Sequence, residues 1–298
     1  MSSRTPRVVV VTRPTELERV LARHGTYAQA AFYMRTYGQD IEVVRARHER
    51  FEAALASVLS QVPVSWRRAR VARAQLDRFL FAPEDLVVAV GQDGLVANVA
   101  KYVCEQPVIG INPDPDEYAG VLARHAPARL KRLLLGAAKG RCAIERRPMV
   151  EARTGVGHAL RALNEVFVGH RTHQSARYRI ACGGRAERQI SSGLIVSTGT
   201  GATGWARSIL AQRRAAPPAP GPEEDRLIYL VREAYASPSS GTEVTAGAIG
   251  PGDELELVSE MNDGGVLFGD GIEEDRVELP YGMTLTVRLA PDALRLVV

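Results

Sequence analysis

The 298-residue sequence predicts an α/β domain over residues 1–127 followed by a mainly antiparallel β domain over residues 128–298. Three observations carry this reading. Residues 7–12 (RVVVVT) form a β-branched run suited to a buried strand. Residues 86–111 read as strand, helix, strand, which is the order of a parallel sheet with crossovers. After about residue 127, helical periodicity gives way to short β-branched runs separated by glycine, proline and aspartate.

In chain order, the opening strand 7–12 leads into residues 15–36, which are rich in helix formers and interrupted at Gly25. Residues 46–61 repeat apolar positions at helical spacing. The strand 86–90 (LVVAV), the helix 95–104 and the strand 107–111 complete the first domain. In the second, residues 166–168, 178–182, 194–197, 227–231, 255–258 and 285–289 read as strands. Residues 215–225 (AAPPAPGPEED) read as a mobile surface loop.

Composition narrows the function. Hydrophobic content of 45% fills a sizeable core, so the chain is neither disordered nor fibrous. The net charge is +4, but the arginines are dispersed except for residues 67–73 (RRARVAR), which read as a solvated helix surface. A nucleic-acid groove is therefore not expected. The three cysteines and six histidines show no metal-ligand spacing. His170 and His173 could line a pocket, but read first as exposed loop residues. No apolar run is long enough to cross a bilayer, and a cytoplasmic protein that binds no membrane is expected.

Two glycine turns carry the candidate chemistry. Gly91-Gln92-Asp93-Gly94 lies between the strand LVVAV and a helix, where unpaired N–H groups and the helix dipole favour phosphate oxygens. An acid there repels phosphate unless it accepts a proton or pairs with a metal, so Asp93 reads as a general base or magnesium partner, or else as the helix cap. The second turn, residues 198–205 (TGTGATGW), follows the strand LIVS. Its glycines admit close backbone approach, its threonines offer hydroxyls, and Trp205 offers a flat face for a base, or else ordinary core packing. A third candidate is Asn164-Glu165, an amide beside a carboxylate in an apolar context (ALNEVFVG) that calls for partners: together they can grip vicinal hydroxyls or an adenine edge, though such a pair taken alone is more often a strand-edge feature.

In this order and spacing, the GQDG turn, the NE pair and the TGTGATGW loop resemble the NAD kinase family. Residues 107–115 (PVIGINPDP), ALNEVFVG and SSGLIVSTGTGATGW resemble its mitochondrial type most closely. The resemblance implies an N-terminal Rossmann-like α/β domain, a C-terminal β-sandwich and a dinucleotide held in the cleft between them. It further implies ATP with Mg2+ as donor, NAD as acceptor, and a homo-oligomer, dimer or tetramer. The reaction class would be phosphotransfer to an alcohol group, giving NADP.

The family's catalytic aspartate falls on Asp93, its phosphate contacts on Gly91, Gln92, Gly94 and Asn112, and its dinucleotide contacts on Asn164, Glu165, Thr198, Thr200, Gly201, Thr203 and Trp205. No metal ligand is assigned. The chain departs from the family at Gln92, which replaces a glycine, and at Leu95, which replaces a threonine. A Cβ at position 92 is expected to crowd the phosphates, and a positive φ there would add strain on the order of 1 kcal/mol. Alternative readings are a dinucleotide-binding regulator or degenerate kinase of the same fold, or a lipid or sugar kinase of the superfamily. A nucleic-acid module ranks last.

Overall fold

The computed structural model describes residues 5–213 and 215–298. These divide into two compact units, one of residues up to 144 together with 295–298, and one of residues from 145 to 294.

The first unit is a parallel sheet with helices. Its elements are β1 (Arg7–Thr12), α1 (Glu16–His24), α2 (Tyr27–Thr36), α3 (Ile41–Gln61), β2 (Arg67–Ala72), β3 (Leu86–Val90), α4 (Asp93–Ala100), β4 (Pro107–Ile111) and α5 (Leu130–Ala138). The strands pair in the order β2-β1-β3-β4, all parallel. Residues of β1 are buried on both faces, as expected of a continuous apolar run. Leu55, Val58, Leu130 and Leu134 of α3 and α5 pack on one face against Val8, Val88 and Ile109.

Local signals set the helix limits. Thr15 and Glu18 close a capping box at the start of α1, and Gly25 ends that helix at φ +80. Thr26 and Asp40 cap α2 and α3 through their side chains.

The second unit contains β5 (Ile144–Thr154), β6 (Ala159–Ala162), β7 (Glu165–His170), β8 (Ala176–Cys182), β9 (Arg185–Ser191), β10 (Leu194–Ser197), α6 (Trp205–Ala211), β11 (Leu227–Val231), β12 (Ala246–Ile249), β13 (Leu255–Ser259), β14 (Gly265–Gly269), β15 (Ile272–Glu278) and β16 (Thr284–Val297). One antiparallel sheet runs β12-β11-β10-β7-β14-β15, and the other runs β16-β13-β8-β9 with β5 paired to β16 and β6. A single core joins them: Val166, Val168, Val196 and Tyr229 from the first sheet meet Tyr178, Ile180, Leu257 and Val287 from the second. This is a β-sandwich.

The opposite face of the six-stranded sheet is also covered, with Phe167, Ile195 and Ile228 packed against Ala206 and Ile209 of α6. Strands β7, β10 and β11 therefore read as continuous apolar runs, unlike β8, whose buried and exposed residues alternate at Ala176–Ile180.

Three expectations change. Residues 67–73 are mostly an edge strand, β2, not a helix surface; Arg68 reaches the Val62 carbonyl at 2.8 Å and Arg67 pairs with Glu84. An edge strand leaves one flank unpaired, and β2 is exposed at Arg67, Arg68 and Arg70, which suits its charged side chains. The division falls at Ile144 rather than residue 127, because the apolar side of α5 completes the first unit's core. The last four residues also return to that unit, where Arg295 and Leu296 pair parallel with Pro107 and Val108. The proline-rich loop has no regular structure but is anchored: Arg226 binds Glu224 and the Pro218 carbonyl, and Asp225 pairs with Arg146 at 2.5 Å.

Candidate functional site

In the first unit, the strand order reverses direction between β1 and β3. Ligands of open α/β sheets bind at such a switch point, outside the carboxyl ends of the strands. The residues following these two ends are Arg13 and Gly91, and both line a cavity of about 360 Å3 together with Thr15, His48, Gln92 and Asp114.

Gln92 is the N-cap residue of α4, with extended backbone at φ −82 and ψ 169. The strain expected of a side chain at this position is absent, because the turn requires no positive φ there. Its Oε1 accepts a hydrogen bond from Arg13 Nη2 at 2.7 Å. Arg13 is half-buried; burial lowers its pKa first, and the charges of Arg19 and Arg73 lower it further.

Asp93 does not cap α4. Its Oδ1 accepts from the amides of Leu122 and Ala123 at 2.9 and 2.8 Å, and its Oδ2 accepts from Val121 at 2.9 Å. An ionised carboxylate offers about four acceptor positions, so this clasp leaves one open on Oδ2. Asn112 is committed in a similar way: Nδ2 donates to the Tyr118 carbonyl at 2.6 Å and Oδ1 accepts from the Asp114 amide at 3.0 Å, folding the loop after β4. Gly94 is exposed and meets nothing within 4 Å of where a Cβ would stand.

In the second unit, the NE pair and the threonine-glycine loop come together. Thr198 Oγ1 donates to the Leu163 carbonyl at 2.6 Å, and its amide donates to the Asn164 carbonyl at 2.9 Å. A Cβ on Gly201 would stand 2.2 Å from that same Asn164 oxygen, so only glycine fits. From the other side, Asp270 accepts from the amides of Leu163 and Asn164 at 3.1 and 2.7 Å, and its own amide donates to the Glu165 carbonyl. Asp270 holds a left-handed backbone, φ 55, which a short polar residue adopts at low strain.

This scaffold uses the backbone of Asn164 and Glu165 and leaves their side chains without a hydrogen-bond or ion-pair partner among the described residues. Burial pushes the Glu165 carboxyl up to about 7, with the Asp270 charge adding to the effect. Thr200 Oγ1 is buried with no hydrogen-bond partner among the described residues. Such an orphan is costly inside a fold, and its hydroxyl is available for a further hydrogen bond. Thr203 instead bonds the Thr200 carbonyl at 3.2 Å.

The ring of Trp205 stacks on Phe167 at 5.6 Å and lies beneath Arg232 at 5.1 Å. It sits beside a second cavity, of about 520 Å3, which His170 and His173 also line. The sequence reading missed Arg13, Asp270 and Arg232. Arg13 carries a usable signal, since it directly follows the first strand of an α/β sheet; the other two are brought in by strand pairing alone.

Among the described residues no three His, Cys, Asp or Glu side chains converge as a metal cage, and no helix is long and apolar enough to cross a membrane.

Solved structures with this architecture include an NAD kinase from Archaeoglobus fulgidus in complex with ATP (TM-score 0.58, 18% identity, 98% of this chain and 93% of that one). Another is yeast NADH kinase complexed with NADH (TM-score 0.60, 13% identity, 99% and 84%). The fold is that of the NAD kinases. In sequence, the chain is 33% identical over 129 residues to the NAD kinase of Methanospirillum hungatei, 42% of this chain and 46% of that protein. It is 27% identical over 216 residues to the NAD kinase of Methanoregula boonei, 72% and 74%, and 28% identical over 160 residues to that of Rhizorhabdus wittichii, 52% and 61%. The aligned part thus spans about half the length of the first of these relatives and about three fifths of the third. No family model matches the chain.

Proposed function

We propose that this chain is an NAD kinase: it transfers the γ-phosphoryl group of ATP to the adenosine ribose 2′-hydroxyl of NAD, giving NADP. The sequence relatives named NAD kinase and the fold support the reading. The observation that carries it is the set of unpartnered groups on a clamped backbone: Asn164, Glu165 and the buried Thr200 hydroxyl, beside a glycine with no room for a Cβ. Polar side chains held ready without protein partners suit a hydroxyl-rich ligand such as a nucleoside.

In the proposed reaction, Asn164 and Glu165 grip the ribose hydroxyls and Thr200 supplies a further hydrogen bond. The 2′-oxygen attacks the γ-phosphorus, the bond to the β-γ bridging oxygen breaks, and ADP leaves. Asp93 takes the hydroxyl proton at its open Oδ2 position, while Gly91, Gln92 and Gly94 line the donor's phosphates. Mg2+ carried on those phosphates would neutralise charge at the reacting centre; among the described residues there is no carboxylate cage for it, and no residue is assigned to hold it. A homo-oligomer, a cytoplasmic location and kinship with the mitochondrial type complete the proposal.

The three amides already bound to Asp93 favour one second reading, a protein that binds the dinucleotide without transferring phosphate. An endpoint assay of the purified chain with NAD, ATP and Mg2+ separates the two. NADP is the expected product; thermal stabilisation by NAD with no NADP formed would overturn the kinase reading.

A further inference from the structure

The structure assigns Gln92 the role of positioning residue: by holding the Arg13 guanidinium at the glycine turn, it builds an anion clamp for the donor's phosphates where relatives of this fold would place a bare glycine. This inference rests on the phosphate-donor reading of the first unit's site. The side chain was expected to obstruct the donor; its geometry points the other way.

Four observations support the clamp. Gln92 lies in an extended conformation any residue adopts, so its side chain is accommodated without strain. Its amide oxygen meets Arg13 at 2.7 Å, which fixes one end of a long, rotamer-rich side chain and lowers the cost of ordering it around a ligand. Arg13 and Gln92 line the same cavity as Gly91, outside the β1 and β3 ends where the strand order reverses.

The fourth is charge. The acids of that cavity are already matched, Glu16 with Arg47 at 3.7 Å and Asp114 with Arg50 at 2.8 Å. Arg13 and Arg19 have no carboxylate partner among the described residues. Two cations without counter-charges, one of them half-buried beside a third arginine, form a pocket that an anion completes. A neutral amide is the suitable holder here. It orients the guanidinium through its acceptor without cancelling the positive charge, as a carboxylate would.

The test is calorimetric titration of the full chain with inorganic tripolyphosphate and with ATP, beside steady-state kinetics. Gln92→Gly and Arg13→Gln are each expected to weaken tripolyphosphate binding by roughly tenfold, the scale of one charge-assisted hydrogen bond. The double variant should be no weaker than the worse single one, because both remove the same clamp. The KM for ATP should rise with kcat and the KM for NAD little changed.

Gln92→Glu should also weaken tripolyphosphate by at least tenfold, since it spends the Arg13 charge while keeping the contact. Undiminished or tighter binding by Gln92→Gly or Gln92→Glu, additive losses in the double variant, or no tripolyphosphate binding by the wild type would each overturn the clamp. Phosphate binding as described with no NADP formed would remove the kinase reading and leave the clamp standing. NADP formed by Gln92→Gly at the wild-type KM for ATP would do the reverse.

Discussion

The two glycine turns of this protein look alike in sequence and are built on opposite principles. Each follows a buried strand, β3 or β10, and leads into a short helix. In the first turn the side chains do the holding: Gln92 anchors Arg13, Asp93 clasps three amides of the 121–123 loop, and Gly94 faces open space. In the second the backbone itself is wedged in place. A Cβ on Gly199 would stand 1.8 Å from the Gly221 carbonyl oxygen, and one on Gly201 would stand 2.2 Å from that of Asn164. A glycine-rich motif can thus tolerate a side chain where the turn is open and forbid one where another segment crosses it, which is why the fold accommodates Gln92 in GQDG.

Four experiments break or sharpen that contrast. The largest effect is expected from Asp93→Asn, which removes the open acceptor of the first turn: on the proposed mechanism kcat falls by about 10²- to 10⁴-fold. NADP formation equal to the wild type would reduce Asp93 to a loop clasp. Next, Gly201→Val is expected to destabilise the chain by about 3 kcal/mol or more through the backbone clash, whereas Gly94→Ala, in the first turn of α4, should be neutral or stabilising by under about 1 kcal/mol. Chemical denaturation of both variants checks this, and similar losses would erase the distinction between the turns.

Third, Glu165 links the second site to pH. Its pKa in the fold, about 7, lies above the ordinary value of 4.5, so on raising the pH the unfolded chain releases this proton first. The stability it contributes is intact below about pH 4.5 and is lost as pH rises through 7, a change on the order of 3 kcal/mol. Glu165→Gln should flatten the stability profile over that window; a profile with unchanged slope would show that the group titrates normally. The smallest effect is expected from Thr200→Val, which replaces a buried unpaired hydroxyl by a methyl of similar shape. Stability should hold or rise by up to about 1 kcal/mol while NAD binding weakens severalfold. Unchanged NAD affinity would take Thr200 out of the site.

The apolar and glycine patterns made much of this legible. β1, β3, β4, β10 and β11 stand at the positions their β-branched runs predict, and Gly25 separates α1 from α2. The charged or glycine-rich strands β2, β9, β12 and β15 were not legible, because an edge or solvent-facing strand owes its conformation to the neighbour it pairs with rather than to its own residues. Helix α5 was missed for a related reason: its apolar side is short and gains meaning only against β3 and β4.

The buried apolar strands, the two glycine turns and the polar character of Asn164 and Glu165 in an apolar stretch were all legible in the local sequence, since strand burial and turn conformation depend on residues close along the chain. Which groups are free to meet a ligand was decided elsewhere. Loop 121–123 reaches Asp93 across about thirty residues, Arg13 reaches Gln92 across 79, and Asp270 reaches Asn164 across 106. Those contacts are set by strand order and sheet register, so a side chain's partner, and hence its availability, is a property of the packed fold and not of the motif that contains it.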